Sequence, residues 1–195
     1  LTGYSINVFA ENLNLPRDLE LSPEGVLLAS TPGNDTVLAF PDRNKDGKTD
    51  EVITLISDLK TPHGLAFYKN KLYIASVDKV NRYTWDEKQL KATFDKTVVS
   101  LPQNSNHINR TILFIDDQMY VSVGSTCNVC NEKNTWNGTI IIASPDGDNP
   151  HVFAKGQRNA PFMTLNPKTQ EIWATGMGRD YLGDNLPPDE INIIR

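Results

Sequence analysis

Pro62-His63-Gly64-Leu65-Ala66-Phe67, a polar turn Tyr68-Lys69-Asn70-Lys71, and then Leu72-Tyr73-Ile74-Ala75-Ser76 form the stretch that decides the fold. Two short apolar runs flank a turn with Asn at its centre, and the second run is aromatic and β-branched and ends in small residues. That is the signature of a β-hairpin. The pattern recurs as Pro16-Arg17-Asp18-Leu19-Glu20-Leu21 with Val26-Leu27-Leu28-Ala29-Ser30, as Asn109-Arg110-Thr111-Ile112-Leu113-Phe114 with Met119-Tyr120-Val121-Ser122-Val123, and as Pro161-Phe162-Met163-Thr164-Leu165 with Ile172-Trp173-Ala174-Thr175-Gly176. The second runs begin at 26, 72, 119 and 172, intervals of 46, 47 and 53.

Further strands fit between the hairpins at Thr36-Val37-Leu38-Ala39-Phe40, Val80-Asn81-Arg82-Tyr83-Thr84 and Gly138-Thr139-Ile140-Ile141-Ile142. No segment carries a sustained 3.6-residue apolar stripe, and Asp86 to Leu90 reads as a turn. Short strands with a period of roughly 40–50 residues predict an all-β chain folded as a β-propeller. A β-sandwich would account for the strands but not for the period. Residues 1–195 read as one domain of about four blades. Propellers close with 4–8 blades, and no closing strand is evident at Ile193-Ile194-Arg195. The expectation is therefore a partial propeller with apolar flanks, completed by further blades or by self-association.

The formal net charge of -5 and pI of about 5.2 argue against a nucleic-acid partner, which would demand a basic surface. No apolar run approaches the roughly 20 residues that span a bilayer. The cysteines, Cys127 and Cys130, stand as Cys-Asn-Val-Cys in a loop-like context. A zinc site ordinarily needs four ligands, so the pair reads as a local disulfide or two thiols without metal or redox turnover. A disulfide would imply an oxidising compartment.

Four clusters carry candidate chemistry. His107, just before an inner strand, can act as a base near neutrality. Arg158 and Asn159, in Gly156-Gln157-Arg158-Asn159-Ala160-Pro161, can bind an anionic, carbonyl-rich ligand. Gly178-Arg179-Asp180, Asp184 and Pro187-Pro188-Asp189-Glu190-Ile191-Asn192 make an acidic, proline-shaped loop suited to a hard cation such as calcium. Asp42-Arg43-Asn44-Lys45-Asp46-Gly47-Lys48-Thr49-Asp50 alternates like a calcium loop but has Ile53 where a bidentate Glu would complete it, and a plain turn explains it as well.

In order along the chain, Pro62-His63-Gly64-Leu65-Ala66, His107-Ile108-Asn109-Arg110-Thr111, Val121 through Cys130, Gly156-Gln157-Arg158-Asn159 and Gly178 through Asn192 resemble the pyrroloquinoline quinone (PQQ)-dependent sugar dehydrogenases, in particular the L-sorbosone dehydrogenase-like branch. The resemblance implies a six-bladed propeller and a periplasmic or secreted quinoprotein that oxidises a sugar or small polyol. It implies that His107 removes the hydroxyl proton as hydride passes to the quinone. It further implies that Arg158 and Asn159 hold PQQ, that the carbonyls of Gly178 and Arg179 ligate calcium, and that Asp189 and Glu190 support that ion. The chain departs from the family in the bulk of Ala160-Pro161-Phe162-Met163, and the family's further cationic PQQ ligands lie in later blades. A calcium-dependent lactonase or esterase and a non-catalytic binding propeller are the competing functions, since fold alone does not separate them.

Overall fold

The computed structural model describes residues 3–103 and 106–195. Fifteen strands form four sheets. The first contains β1 (Leu19–Leu21), β2 (Leu27–Thr31), β3 (Thr36–Phe40) and β4 (Ile53–Ile56). The second contains β5 (Leu65–Tyr68), β6 (Lys71–Ser76), β7 (Lys79–Asp86) and β8 (Lys91–Ser100). The third contains β9 (Ile112–Ile115), β10 (Gln118–Val123), β11 (Thr139–Ala143) and β12 (His151–Lys155), and the fourth β13 (Met163–Leu165), β14 (Ile172–Gly176) and β15 (Glu190–Ile194). Each sheet is an antiparallel meander in chain order. Among the described residues the helical content is one 3-10 turn, Pro32–Asn34, and no helix is long and apolar enough to cross a membrane. This is the propeller arrangement, with four blades and the four inner strands β1, β5, β9 and β13 side by side.

The repeated hairpins pair as the sequence predicts, with Leu65 opposite Ile74 and Leu113 opposite Tyr120. Their two-residue turns, Lys69-Asn70 and Asp116-Asp117, place both residues at positive φ. That geometry matches the natural twist of paired strands. β6 shows why the sheets stack. Successive side chains point to opposite faces. Leu72 and Ile74 therefore enter the layer shared with Leu28, Val37 and Ala39 of the first sheet, while Tyr73 and Ala75 enter the layer shared with Met119 and Val121 of the third. A third layer joins Ile140 to Met163, Ile172 and Ala174. A strand buried on both faces reads as a continuous apolar run, which made β6 legible.

Two expectations are corrected, and one set of strands went unread. The outermost strands β4, β8 and β12 escaped notice because runs such as Lys91 to Ser100 and His151 to Lys155 carry polar residues on exposed faces. Glu190 and Asn192 do not lie on a loop: Glu190–Ile194 is the third strand of the fourth sheet, with Glu190 opposite Gly176 and Asn192 opposite Ala174. The two flanks also differ. Phe9, Ala10 and Leu13 pack over Ala29, Leu38 and Phe40 and cover the first sheet, whereas Trp173, Ile191 and Ile193 of the fourth sheet remain exposed.

The inner strands touch through polar groups. Asp18 Oδ2 accepts the Leu65 amide at 2.8 Å and Glu20 Oε1 the Phe67 amide at 3.2 Å, satisfying donors that have no strand partner on that side. Burial pushes both carboxyls above their usual range, against the backbone hydrogen bonds that favour the anion. A raised folded-state pKa gives stability that is complete below the unfolded value and lost as pH rises through the folded one. Asp18→Asn and Glu20→Gln keep an acceptor oxygen without the charge. Both variants should melt above the wild type at pH 7, and the advantage should vanish near pH 3, where the wild-type groups are neutral. Thermal denaturation at the two pH values checks this; a lower melting temperature at pH 7 would refute it.

Candidate functional site

In an antiparallel meander the start of the first strand and the connection between the second and third lie at the same end. The segments before β9 and β13, and connections 124–138 and 177–189, therefore meet at one mouth. They carry His107, the disulfide loop, Arg158-Asn159 and Gly178 through Asp189.

His107 is half-buried. Its Nδ1 lies 3.0 Å from the Ser125 carbonyl oxygen and 2.9 Å from Ser125 Oγ. The carbonyl can only accept, and Ser125 Oγ donates its own proton to the Cys127 carbonyl at 2.8 Å. Nδ1 therefore carries the ring proton and Nε2 the lone pair, the tautomer a general base requires. Burial holds the imidazole below its ordinary pKa and the Arg158 charge pushes the same way, opposed by the Ser125 hydrogen bond.

Two further residues seat this histidine. A Cβ on Gly124 would stand 2.5 Å from His107 Cβ, 2.6 Å from its carbonyl oxygen and 3.3 Å from Asn159 Oδ1, so glycine permits the approach. Arg110, fully buried without a carboxylate partner, donates to the carbonyls of His107 and Asn109 at 2.9 Å each and of Pro102 at 3.3 Å. It clamps the loop that carries His107. Burial lowers its pKa to about 10, so it stays cationic at neutral pH.

Arg158 spends its N–H groups on the protein. Nε donates to the Asn128 carbonyl at 3.0 Å, Nη1 to the Gly178 carbonyl at 2.7 Å, and Nη2 to Asn128 Oδ1 at 2.9 Å and Asp180 Oδ2 at 2.7 Å. Asn159 is buried, and among the described residues its side-chain amide donates to the Met177 sulfur alone, at 3.2 Å. A thioether is a weak acceptor, so this amide would gain by exchanging it for a carbonyl oxygen. Asp189 Oδ1 accepts the Gly178 amide at 3.0 Å. A side chain at Gly178 would meet Pro187 and the carbonyls of Pro187 and Pro188. Arg179 is exposed at the rim of a cleft of about 380 Å³ that Ser125, Asn128, Glu132 and Arg158 also line.

The structure thus brings His107, Arg158, Asn159 and Gly178 together, with Asp189 beside them. Glu190 is drawn to the edge by its strand, where Asn192 Nδ2 approaches it at 3.4 Å. The carboxylates of Asp180, Asp184, Asp189 and Glu190 do not converge. Among the described residues the one close group of three metal-type ligands is Cys127, Cys130 and Glu132, and the two sulfurs are joined as a disulfide. The 42–50 loop lies at the opposite end of the sheets and closes on itself, Asp42 accepting the amides of Asp46 and Gly47. Ser125, Asn128 and Arg110 had no role in the sequence reading. An Asn inside a Cys-x-x-Cys loop and an Arg three residues after the base were the available signals.

The donors fit the groups the resemblance implies. A quinone carbonyl would find an underused amide donor on Asn159, and a substrate hydroxyl an acceptor nitrogen on His107. For a hard cation, the Gly178 segment has the Pro187 and Pro188 carbonyls and the Asp189 carboxylate near it, but Asp189 Oδ1 already accepts the Gly178 amide and the Gly178 carbonyl accepts from Arg158.

Comparison with known proteins places this geometry. An uncharacterized protein of Borreliella burgdorferi is 28% identical over 210 residues, 98% of this chain and 52% of its own length. The iodide structure of the Trichoderma reesei carbohydrate-active enzymes family AA12 superposes with a TM-score of 0.85 at 23% identity, over 100% of this chain and 55% of that one. The holo form of the pyranose dehydrogenase PQQ domain from Coprinopsis cinerea superposes with a TM-score of 0.78 at 20% identity, over 94% and 49%. The chain spans about half the length of these relatives. The TrAA12-like family model matches residues 1–191, and the chain belongs to that family.

Proposed function

We propose that this chain supplies the base and part of the cofactor surface of a calcium- and PQQ-dependent oxidoreductase acting on a sugar or small polyol. The observation that carries the reading is the His107 tautomer, set by Ser125 at the mouth that Arg158 and Asn159 share. His107 Nε2 takes the substrate hydroxyl proton, and Ser125 steadies the imidazolium through Nδ1. Asn159 donates to a cofactor carbonyl, Arg179 gives the rim positive charge for its carboxylates, and Arg158, whose N–H groups are held by Asn128, Gly178 and Asp180, shapes the cofactor side of that rim. Gly178, Arg179 and Asp189 are the residues assigned to calcium, with Glu190 set back on the adjoining strand edge. PQQ would supply the two-electron redox chemistry, with calcium as its Lewis acid.

The narrower likeness to the L-sorbosone branch belongs to the same proposal, as does a periplasmic or secreted location, which the Cys127–Cys130 disulfide supports. So does completion of the propeller: the exposed apolar face of Trp173, Ile191 and Ile193 suits a further sheet stacked as the first four are. The test is sugar-dependent dye reduction by the protein with its propeller completed, with PQQ and calcium added singly and together; residues 1–195 alone should not turn over sugar. Saturable turnover that needs both is expected. Turnover without quinone, or none with both, would overturn the assignment.

A further inference from the structure

Asn128 reaches from the disulfide loop to both the segment carrying Arg158 and the segment carrying Asp180. Its carbonyl accepts Arg158 Nε, and its Oδ1 accepts both Arg158 Nη2 at 2.9 Å and the Asp180 amide at 2.8 Å. Its Nδ2 donates to the Asp180 carbonyl at 3.2 Å. Both ends of the carboxamide are thus engaged, and its orientation is determined by them. The loop around it is closed by the Cys127–Cys130 disulfide. It is tied down on both sides by Ser125 on the Cys127 carbonyl and by Glu132 on the Thr126 amide and hydroxyl. The same Ser125 holds His107. A planar guanidinium binds with direction only if its plane is fixed, and Asn128 accepts from both Nε and Nη2 along one edge of it.

We propose that Asn128 is a positioning residue: its carboxamide, anchored in the disulfide loop, sets the plane of Arg158 and the path of the 177–180 backbone for the cofactor. This rests on the cofactor role given to Arg158 above. Losing hydrogen bonds to a charged group costs enough to matter here. The base, held by Ser125 and not by Asn128, keeps its own tautomer.

Two measurements on Asn128→Ala and Asn128→Asp test it, alongside melting temperatures. In cofactor-free protein, hydrogen exchange of the Asp180 amide should accelerate about ten-fold or more in N128A. It should stay near wild type in N128D, which keeps the acceptor oxygen. PQQ affinity, read by quenching of tryptophan fluorescence, should fall about ten-fold or more in N128A. Unchanged exchange and affinity in N128A would overturn the proposal. So would an equal loss in both variants with a shared fall in melting temperature, because Asn128 would then be scaffold alone. A wild-type protein that fails to bind PQQ sinks the cofactor reading instead, and the exchange data still decide whether Asn128 orders Arg158 and Asp180.

Discussion

Replacing His107 with alanine is expected to lower turnover by about 10²–10⁴-fold, the usual contribution of a positioned general base, while PQQ affinity stays near that of the wild type. The separation follows from the site. In the proposed roles His107 takes the hydroxyl proton, whereas Arg158, Asn159 and Gly178 stand on the fourth-sheet side of the mouth. The pH profile sharpens the test. The active form is the neutral imidazole, and burial lowers its pKa. Wild-type kcat/KM should therefore rise with pH and level off below the range of an ordinary histidine, about 6.5, and this limb should be absent from the residual activity of the variant. Steady-state kinetics from pH 4 to 8 with a parallel binding titration measure both. Equal losses of turnover and PQQ binding would make His107 a cofactor ligand, not the base.

Gly64→Ala should destabilise the protein by about 3 kcal/mol or more, through overpacking and a lost backbone hydrogen bond. At this point the second and third sheets meet backbone to backbone. The Gly64 amide donates to the Arg110 carbonyl at 2.8 Å. A Cβ there would stand 2.3 Å from that oxygen and 3.0 Å from the Ile112 amide nitrogen and the Thr111 Cα. Backbone cannot swing aside as a side chain can, so β9 would have to move from β5. The displaced segment includes Arg110, which clamps His107. The damage should therefore appear twice, as a lower denaturation midpoint and as reduced turnover in whatever fraction folds. Chemical denaturation with an unchanged m-value would assign the effect to stability. A variant as stable as the wild type would mean that the two sheets do not meet as tightly as the structure has them.

Much of the fold was legible. Tyr73, Ile74 and Ala75 face two neighbouring sheets, so β6 must be apolar on both sides, and its counterparts in the other sheets repeat that demand at a regular interval. Turns such as Asp116-Asp117 announced themselves through residues that accept positive φ. The outer strands did not. One face of β12 meets solvent, and His151 and Lys155 could as well belong to a loop.

The site divides differently. The sequence alone determined which residues could do chemistry: an imidazole at the start of an inner strand, an Arg-Asn pair and an oxygen-rich loop, because these are properties of side chains. Only the tertiary structure decided how they are arranged. His107 and Ser125 are 18 residues apart, Asn128 and Arg158 30, and Asn128 and Asp180 52. No local rule sets those distances. They close because alternating faces drive each sheet onto the next, and the antiparallel meander returns every second connection to the same end. That stacking turned Arg158 inward to Asn128, Gly178 and Asp180, drew Glu190 into a strand and left the acidic side chains apart. The partners of a charged group depend on what packing places within about 3 Å of it, and packing is a property of the whole fan, not of any one motif.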